Sequence, residues 1–341
     1  VIFRPGKFGK GVQIAEATTN TIINPSFEVD VTNGWTVSGG MTATRDSAQS
    51  LYGSYSAKLV ASNPGSYSRF YTTSNTVRTG SMTVSVWVYS STAQTAAFRI
   101  ATVPLDQSWQ NLVAGWQKFT HTVTLSSQSD QIFLDVIDGI TVYADGVQRE
   151  NLAYATPYAD GSLGNGHSWS GTAHASTSSR TAAGLTYPLS GNAYNSDGSV
   201  SLWFYANSYT TNPALLDLSN SVVGGLRLFD YSLSHVGYGS ISNVWSSSDL
   251  NTWNHIVITW TGGNTTTPTI KAYKNGVLIG SFTSSVPIVL ISPIDLLRVN
   301  QSDSYRTNGQ MDDFAIFPTA LSAQEIYSIY KSNAPIQTED K

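Results

Sequence analysis

Short runs in which apolar and polar residues alternate fill most of this chain, and they narrow its possible folds more than any other feature. "MTVSVWVYS" (82–90), "WQKFTHTVT" (116–124), "QIFLDVI" (131–137) and "ITVYADGV" (140–147) carry the pattern in the first half. "SVSLWFYAN" (199–207), "GLRLFDY" (225–231) and "WNHIVITWT" (253–261) carry it in the second. A period of two places one set of side chains on each face of a β-strand. Gly, Ser, Asn and Asp separate the runs, and no helical segments intervene, as in β-sandwiches. A chain of 341 residues is long enough for two such domains. The expected fold class is therefore all-β, with two jelly-roll sandwiches and one short C-terminal helix.

Local signals refine this. "TIKAYKNGVLIGSF" (269–282) reads as a hairpin turning at Asn275-Gly276, a dipeptide that tolerates the positive φ of a tight turn. It predicts that the two flanking strands are neighbours in one sheet. In "TALSAQEIYSIYKS", Ser322 is placed to cap a helix and Glu325 to complete a capping box. Ile326, Ile329 and Tyr330 then share a face. The stretch 159–184 is poor in apolar residues and without periodicity, and reads as a linker.

Composition excludes several functions. Charged residues are 12% of the chain and the net charge is -4, which gives no basic footprint for nucleic acid or an anionic membrane. No run approaches a membrane span, and no signal peptide opens the chain. The absence of Cys rules out disulfides, thiolate metal sites and a Cys nucleophile. No G-x-S-x-G elbow, P-loop or H-x-x-x-H pair occurs. Glu16, Glu28, Glu150, Glu325 and Glu339 each have a place in a cap, a terminus or a cation site, so the paired carboxylates of a glycosidase are not evident. The expectation is a protein that is not an enzyme.

Several phrases resemble known families. "NPSFEVDVTNGW" (24–35), "SLYGSYSAKLV" (50–60), "MTVSVWVYS", "GWQKFTHTVT" and "VYADGVQRE" (142–150) follow the order found in carbohydrate-binding modules of the family-four/nine type, over residues 20–152. "SVSLWFYAN", "WNHIVITW", "KAYKNGVLIGSF" and "GQMDDFAIFPTALSAQEIYSIY" (309–330) resemble laminin-G-like, concanavalin A-like domains, over residues 160–333, with 334–341 as a tail. The junctions "ATTN…NPSFE" and "GHSWSGT" look like those of bacteriophage tail-associated and structural proteins.

"GKFGKGVQI" near the N-terminus resembles an early strand phrase of the laminin-G-like type, and the second half holds no other copy. Module termini that lie close together allow insertion into a loop of another domain. Residues 8–14, within a segment 1–15, are therefore expected to form a strand of the C-terminal sandwich, with the first module inserted after it. The alternative is a loose tail.

The first resemblance implies a structural calcium ion held by Glu28 and Asp145. The alternative is that Glu28 caps a turn and Asp145 faces solvent. Asp312 and Asp313 read as a structural turn before a metal site. Sugar rings stack on aromatic faces, so ligand candidates are aromatics outside the core. Trp109, Tyr52, Tyr67 and Tyr71 qualify in the first module, and Trp245, Tyr231, His235 and Tyr238 in the second. Ordinary partial burial is the competing explanation for each. Trp35, Trp87, Trp116, Trp203, Trp253 and Trp260 are expected in cores.

The leading expectation is a protein that recognises cell-surface or polymeric carbohydrate. It would work as an oligomer or in a larger assembly, extracellular or on a virion surface. The alternatives are a building block or decoration of a virion or extracellular filament without a sugar site, and an accessory region of a larger polysaccharide-degrading enzyme.

Overall fold

The computed structural model describes residues 2–14, 17–103, 106–182, 184–189, 191, 193, 195–209, 212–219, 222–299, 302–332 and 335. Glu16, Glu339 and, apart from residue 335, the tail 334–341 lie outside the described residues. Tertiary contacts divide the chain into two units: Ala17–Thr181, and Val1–Glu16 together with Ala182–Lys341.

The unit Ala17–Thr181 is a sandwich of two five-stranded antiparallel sheets. One runs in the order Gly115–Ser129, Val77–Ser90, Thr141–Glu150, Ser56–Ala61, Met41–Asp46. The other runs Gln110–Leu112, Gln94–Thr102, Ile132–Ile137, Tyr67–Thr72, Trp35–Ser38. Alternate residues fill the core between them: Val84, Val86 and Val88 from one sheet, and Phe70, Ile132, Leu134, Val136, Phe98 and Ile100 from the other. In Tyr67–Thr72 and Ile132–Ile137 the residues between these core positions lie on the outer face.

The stretch 159–184 is not a linker. His167–Trp169 and Ser178–Arg180 pair with each other, and Ser178–Arg180 pairs with Thr18–Asn20, to form a three-stranded sheet of the inserted unit. Its polar residues are buried because they are hydrogen-bonded. Asn20 donates to the Val147 carbonyl at 2.9 Å, and Ser178 donates to the Ala159 carbonyl at 2.9 Å. Backbone pairing and buried hydroxyls hold this segment, so a count of apolar residues misses it.

In the other unit, Lys10–Ile14 pairs antiparallel with Ser302–Phe317, bringing Val12 opposite Met311 and Ile14 opposite Gly309. Ile14 is buried in the core of this sandwich. The N-terminal segment is thus a strand of the C-terminal sandwich, and the first module is inserted after it. The strand begins at Lys10 rather than Phe8, and Ile2–Pro5 precedes it as a hairpin partner. The full sheet runs Ile2–Pro5, Lys10–Ile14, Ser302–Phe317, Gly198–Tyr209, Trp253–Thr261, Thr269–Lys274, Val277–Thr283, and Arg298–Val299 also pairs with Ser302–Phe317. A six-stranded sheet, from Leu185–Tyr187 to Gly239–Ile241, is the second layer.

The hairpin turns where the sequence places it. Lys274 lies opposite Val277, and Asn275 and Gly276 both have positive φ, 51° and 80°. The helix spans Ala323–Lys331, with the Ser322–Glu325 capping box formed and Ile326 buried.

Candidate functional site

The outer face of the sheet that contains Tyr67–Thr72 is lined by an unbroken path of aromatic rings and guanidinium groups. Period-two alternation in "YSRFY" buries Ser68 and Phe70 and turns Tyr67, Arg69 and Tyr71 outward. In the adjacent strand the same alternation turns Phe133 and Asp135 to that face while Ile132, Leu134 and Val136 enter the core. Register aligns the rows: Phe133 lies opposite Tyr71, and Asp135 lies opposite both Arg69 and Arg99. Trp109 joins from the segment before the edge strand Gln110–Leu112.

Contacts connect the path end to end. Trp109 and Tyr67 meet edge-on at 5.7 Å between centroids, and Tyr71 and Phe133 lie 5.3 Å apart. The Arg99 guanidinium lies 4.7 Å from the Trp109 ring and 5.1 Å from that of Tyr67. That of Arg69 lies 4.3 Å from the Phe133 ring and 5.4 Å from that of Tyr67. Such stacking fixes both partners and costs the guanidinium little hydration.

Asp135 holds the two arginines. It has no exposed surface and accepts from Arg69 Nε at 2.7 Å, Arg69 Nη2 at 2.9 Å and Arg99 Nε at 3.0 Å. The bond to Asp135 raises the Arg69 pKa further, so its charge is permanent. Arg99 Nη2 also reaches Asp106, at 3.1 Å on the rim. The result is a pre-ordered row of apolar faces and N–H donors, with the carboxylate that orders it buried beneath.

Three of the first-module candidates, Trp109, Tyr67 and Tyr71, are brought together on this face. Tyr52 is not: it packs on Tyr158 at 4.3 Å, beside Gly146 at the bulge in strand Thr141–Glu150. Sequence reasoning missed Arg69, Arg99, Phe133 and Asp135. Alternation within "YSRFY" already turns Arg69 to the side of Tyr67 and Tyr71, whereas Arg99, Phe133 and Asp135 reach that face only through the register between strands.

The second-sandwich candidates do not form a comparable surface. Trp245 is fully buried in the core against Phe204 and Tyr231, although its sequence neighbours are polar. His235 is also buried, with Nδ1 2.8 Å from Ser284 Oγ and Nε2 2.7 Å from the Gly224 carbonyl. Burial lowers its pKa. Both are corrected from ligand candidates to structural residues. Tyr231 is half-buried against that core, and Tyr238 is exposed. Among the tryptophans expected in cores, Trp87, Trp116 and Trp253 are only half-buried. Trp203 is buried outside the main core, stacked with His255 at 5.0 Å and Tyr330 at 5.8 Å.

Glu28 and Asp145 converge on one loop. Glu28 Oε1 accepts from the Ser54 and Tyr55 backbone N–H groups, both at 2.9 Å. Asp145 Oδ2 accepts from Leu51 and Tyr52 at 2.8 and 2.9 Å, and Oδ1 from Gly146 at 2.6 Å. Gly53, with φ 74°, passes so close to Glu28 that a Cβ would collide with its carboxylate. Asp145 is fully buried rather than facing solvent. Burial, reinforced by the Glu28 charge, lifts its pKa to about 7 against the pull of the three N–H groups. Backbone N–H groups thus occupy both oxygens of Asp145 and Oε1 of Glu28, so Glu28 caps the turn at residues 53–55 as the alternative to a cation has it. Among the described residues no cluster of three or more His, Cys, Asp or Glu could hold a metal. A cation here would have only these two carboxylates as acidic side-chain ligands among the described residues. Asp312, in contrast, accepts from the Phe8 backbone N–H at 2.8 Å, which is a structural tie.

A family model described as the concanavalin A-like lectin/glucanases superfamily, of the laminin-G type, matches residues 179–327. The C-terminal sandwich therefore has a laminin-G-type, concanavalin A-like fold. No curated protein matches the chain. Among solved structures, the chain is similar to domain 4 of a GH43 extracellular arabinanase from Geobacillus stearothermophilus, in complex with arabinotriose. That match has 18% identity, covers 53% of this chain and 84% of that one, and has a TM-score of 0.35. The CBM22-1 xylan-binding domain of Paenibacillus barcinonensis Xyn10C matches at 17% identity, over 40% of this chain and 98% of that one, with a TM-score of 0.31. The receptor-binding domain of botulinum neurotoxin type G matches at 20% identity over 40% of this chain, with a TM-score of 0.28, and the chain spans only 38% of its length. At these values the likenesses bear on neither ligand nor mechanism.

Proposed function

We propose that the chain is a non-catalytic carbohydrate-recognition protein that binds polymeric glycan on the outer face of the inserted module. The observation that carries this reading is the aligned path of Trp109, Tyr67, Tyr71 and Phe133 with Arg69 and Arg99 between them. Tyr67 to Tyr71 spans about 13 Å along the strand, which leaves room for more than one sugar ring. The rings offer stacking surfaces for sugar C–H faces, and the guanidinium groups donate to sugar oxygens. Because the side chains are already ordered by Asp135, little freedom is lost on binding.

Glu28 and Asp145 hold a calcium ion in this reading. The ion relieves the charge of a buried carboxylate and its neighbour, and it ties the opening phrase of the module to its last strand. The ion is structural and takes no part in contact with the glycan. The setting we favour is extracellular or on a virion surface, in an oligomer or larger assembly such as a phage tail, where repeated weak sites combine. A Ser-, Thr- and Tyr-rich chain of low charge suits that setting.

Affinity electrophoresis of the full chain through gels containing plant, capsular and bacterial-wall polysaccharides tests the reading. Retardation by at least one polymer is expected, and Trp109→Ala and Tyr71→Ala should each weaken it. A chain that no polymer retards, or one whose retardation survives both substitutions, overturns it.

A second reading, that of a building block, has its own observation. The edge strand Val277–Thr283 begins with three consecutive exposed apolar residues, Val277, Leu278 and Ile279. Such an edge favours strand pairing between chains. Concentration-dependent association that Leu278→Lys abolishes would support it, and a monomer at all concentrations would remove it.

A further inference from the structure

We infer that the glycan bound on this face is anionic, its carboxylate or sulfate oxygens received by Arg69 and Arg99. The inference rests on the proposed sugar-binding face and names the class of ligand for it.

The charge arrangement leads there. Two guanidinium groups share one buried carboxylate, Asp135, whose side chain has no exposed surface. A hydroxyl-rich neutral sugar is best served by side chains that both donate and accept. Here the central acceptor is saturated by three N–H bonds and lies beneath the arginines, out of a ligand's reach. What the arginines themselves add outward is donor-only, beside tyrosine hydroxyls that can do both. Arg69 spends Nε and Nη2, and Arg99 spends Nε and Nη2; Nη1 of each hydrogen-bonds to no described residue. The Arg69 and Arg99 side chains keep 25% and 14% of their surface exposed, enough for a ligand to reach them.

Asp106 is the one rim carboxylate paired with this group among the described residues, and its side chain is 43% exposed. The Asp106 end of the pair is open to solvent, which weakens the attraction, so a ligand anion can displace it. Planar guanidinium forks bind carboxylate and sulfate with geometric preference over hydroxyl. The flanking rings exclude water from the pair, which strengthens the attraction. Arg69 and Arg99 lie on either side of Asp135 in a single cross-strand row, so they can take one anionic group between them or two along a polymer.

The test measures the full chain against polygalacturonate, dextran sulfate and a neutral β-glucan, at low and high salt. At least tenfold tighter binding of one anionic polymer than of the β-glucan is expected, with affinity falling as salt rises. The polymer preferred separates a carboxylate site from a sulfate site. Arg69→Gln should weaken anionic binding by about ten- to a hundredfold, the loss of a charged hydrogen bond, and weaken neutral binding by clearly less, so that the anionic preference narrows. Arg69→Lys should restore part of it. Because Arg69→Gln leaves Asp135 with one partner and could unfold the module, the double variant Arg69→Gln/Asp135→Asn serves as the charge-balanced control. Equal or tighter binding of the neutral glucan, or an anionic preference unchanged by both arginine variants, overturns the inference and leaves the sugar-binding face standing. Failure to bind any of the three polymers overturns the inference as well. If the wider polysaccharide panel is also silent, the sugar-binding face falls with it.

Discussion

Replacing Ile14 with Ala tests whether the chain is an interrupted sandwich. Ile14 lies in the N-terminal strand, 1% exposed, and packs in a core otherwise built from residues after 184. Removing a fully buried Ile side chain to Ala costs about 2–5 kcal/mol, depending on how far the cavity collapses. The strand is paired on both sides, with Ile2–Pro5 and Ser302–Phe317, so it has little freedom to close the gap, and about 3 kcal/mol is expected. For a unit of this size that corresponds to a melting shift of about 6–12 °C. Calorimetry should resolve two transitions, and hydrogen exchange read by mass spectrometry assigns each to its unit. Ile14→Ala should lower only the transition of the C-terminal sandwich. Ile22→Ala, at a similarly buried position in the inserted module, should lower only the other. If Ile14→Ala moves the transition of Ala17–Thr181, or neither transition, the reasoning fails.

Three further outcomes follow from the geometry. Asp145 has a pKa of about 7 in the folded chain, above its ordinary value, so the native state holds the proton more tightly than the unfolded one. The stability of the inserted module should therefore fall as pH rises from about 4 to about 7, by roughly 4 kcal/mol at most, and then level off. Calcium should flatten that slope and raise the melting temperature, and a slope that persists in Asp145→Asn would assign it to another group. Trp245→Ala should cost the C-terminal sandwich about 3–5 kcal/mol and leave glycan binding unchanged, and a loss of binding with stability intact would restore it as a ligand residue. Ser322→Ala should cost about 1 kcal/mol by opening the capping box, read in the same melting curves.

The all-β architecture was legible because strand alternation is a direct record of two-faced sheets. The hairpin at Asn275-Gly276 and the capped helix were legible because each depends on a few adjacent residues. Burial of polar segments was not. "GHSWSGTAHASTSSR" forms ladder hydrogen bonds and buries Ser178 and Arg180, and no hydrophobic signal announces this. The same limit explains Trp245: polar neighbours in "SNVWSSSD" describe the exposed side of the turn, while Val244 and Trp245 fold beneath it. On the candidate face, Tyr67, Tyr71 and Trp109 stood out as aromatics outside core phrases. Arg69, Arg99, Phe133 and Asp135 did not, since their role depends on register between strands far apart in sequence. Asp145 was identified by position in a motif, but its burial follows from the loop 51–55 folding over it.

The most direct measurement is a crystal structure of the chain with an oligosaccharide taken from whichever polymer retards it. The account predicts sugar rings lying along Trp109, Tyr67, Phe133 and Tyr71, with Arg69 and Arg99 donating to their oxygens. Sugar bound to the C-terminal sandwich, or anywhere else that leaves this face bare, would contradict it.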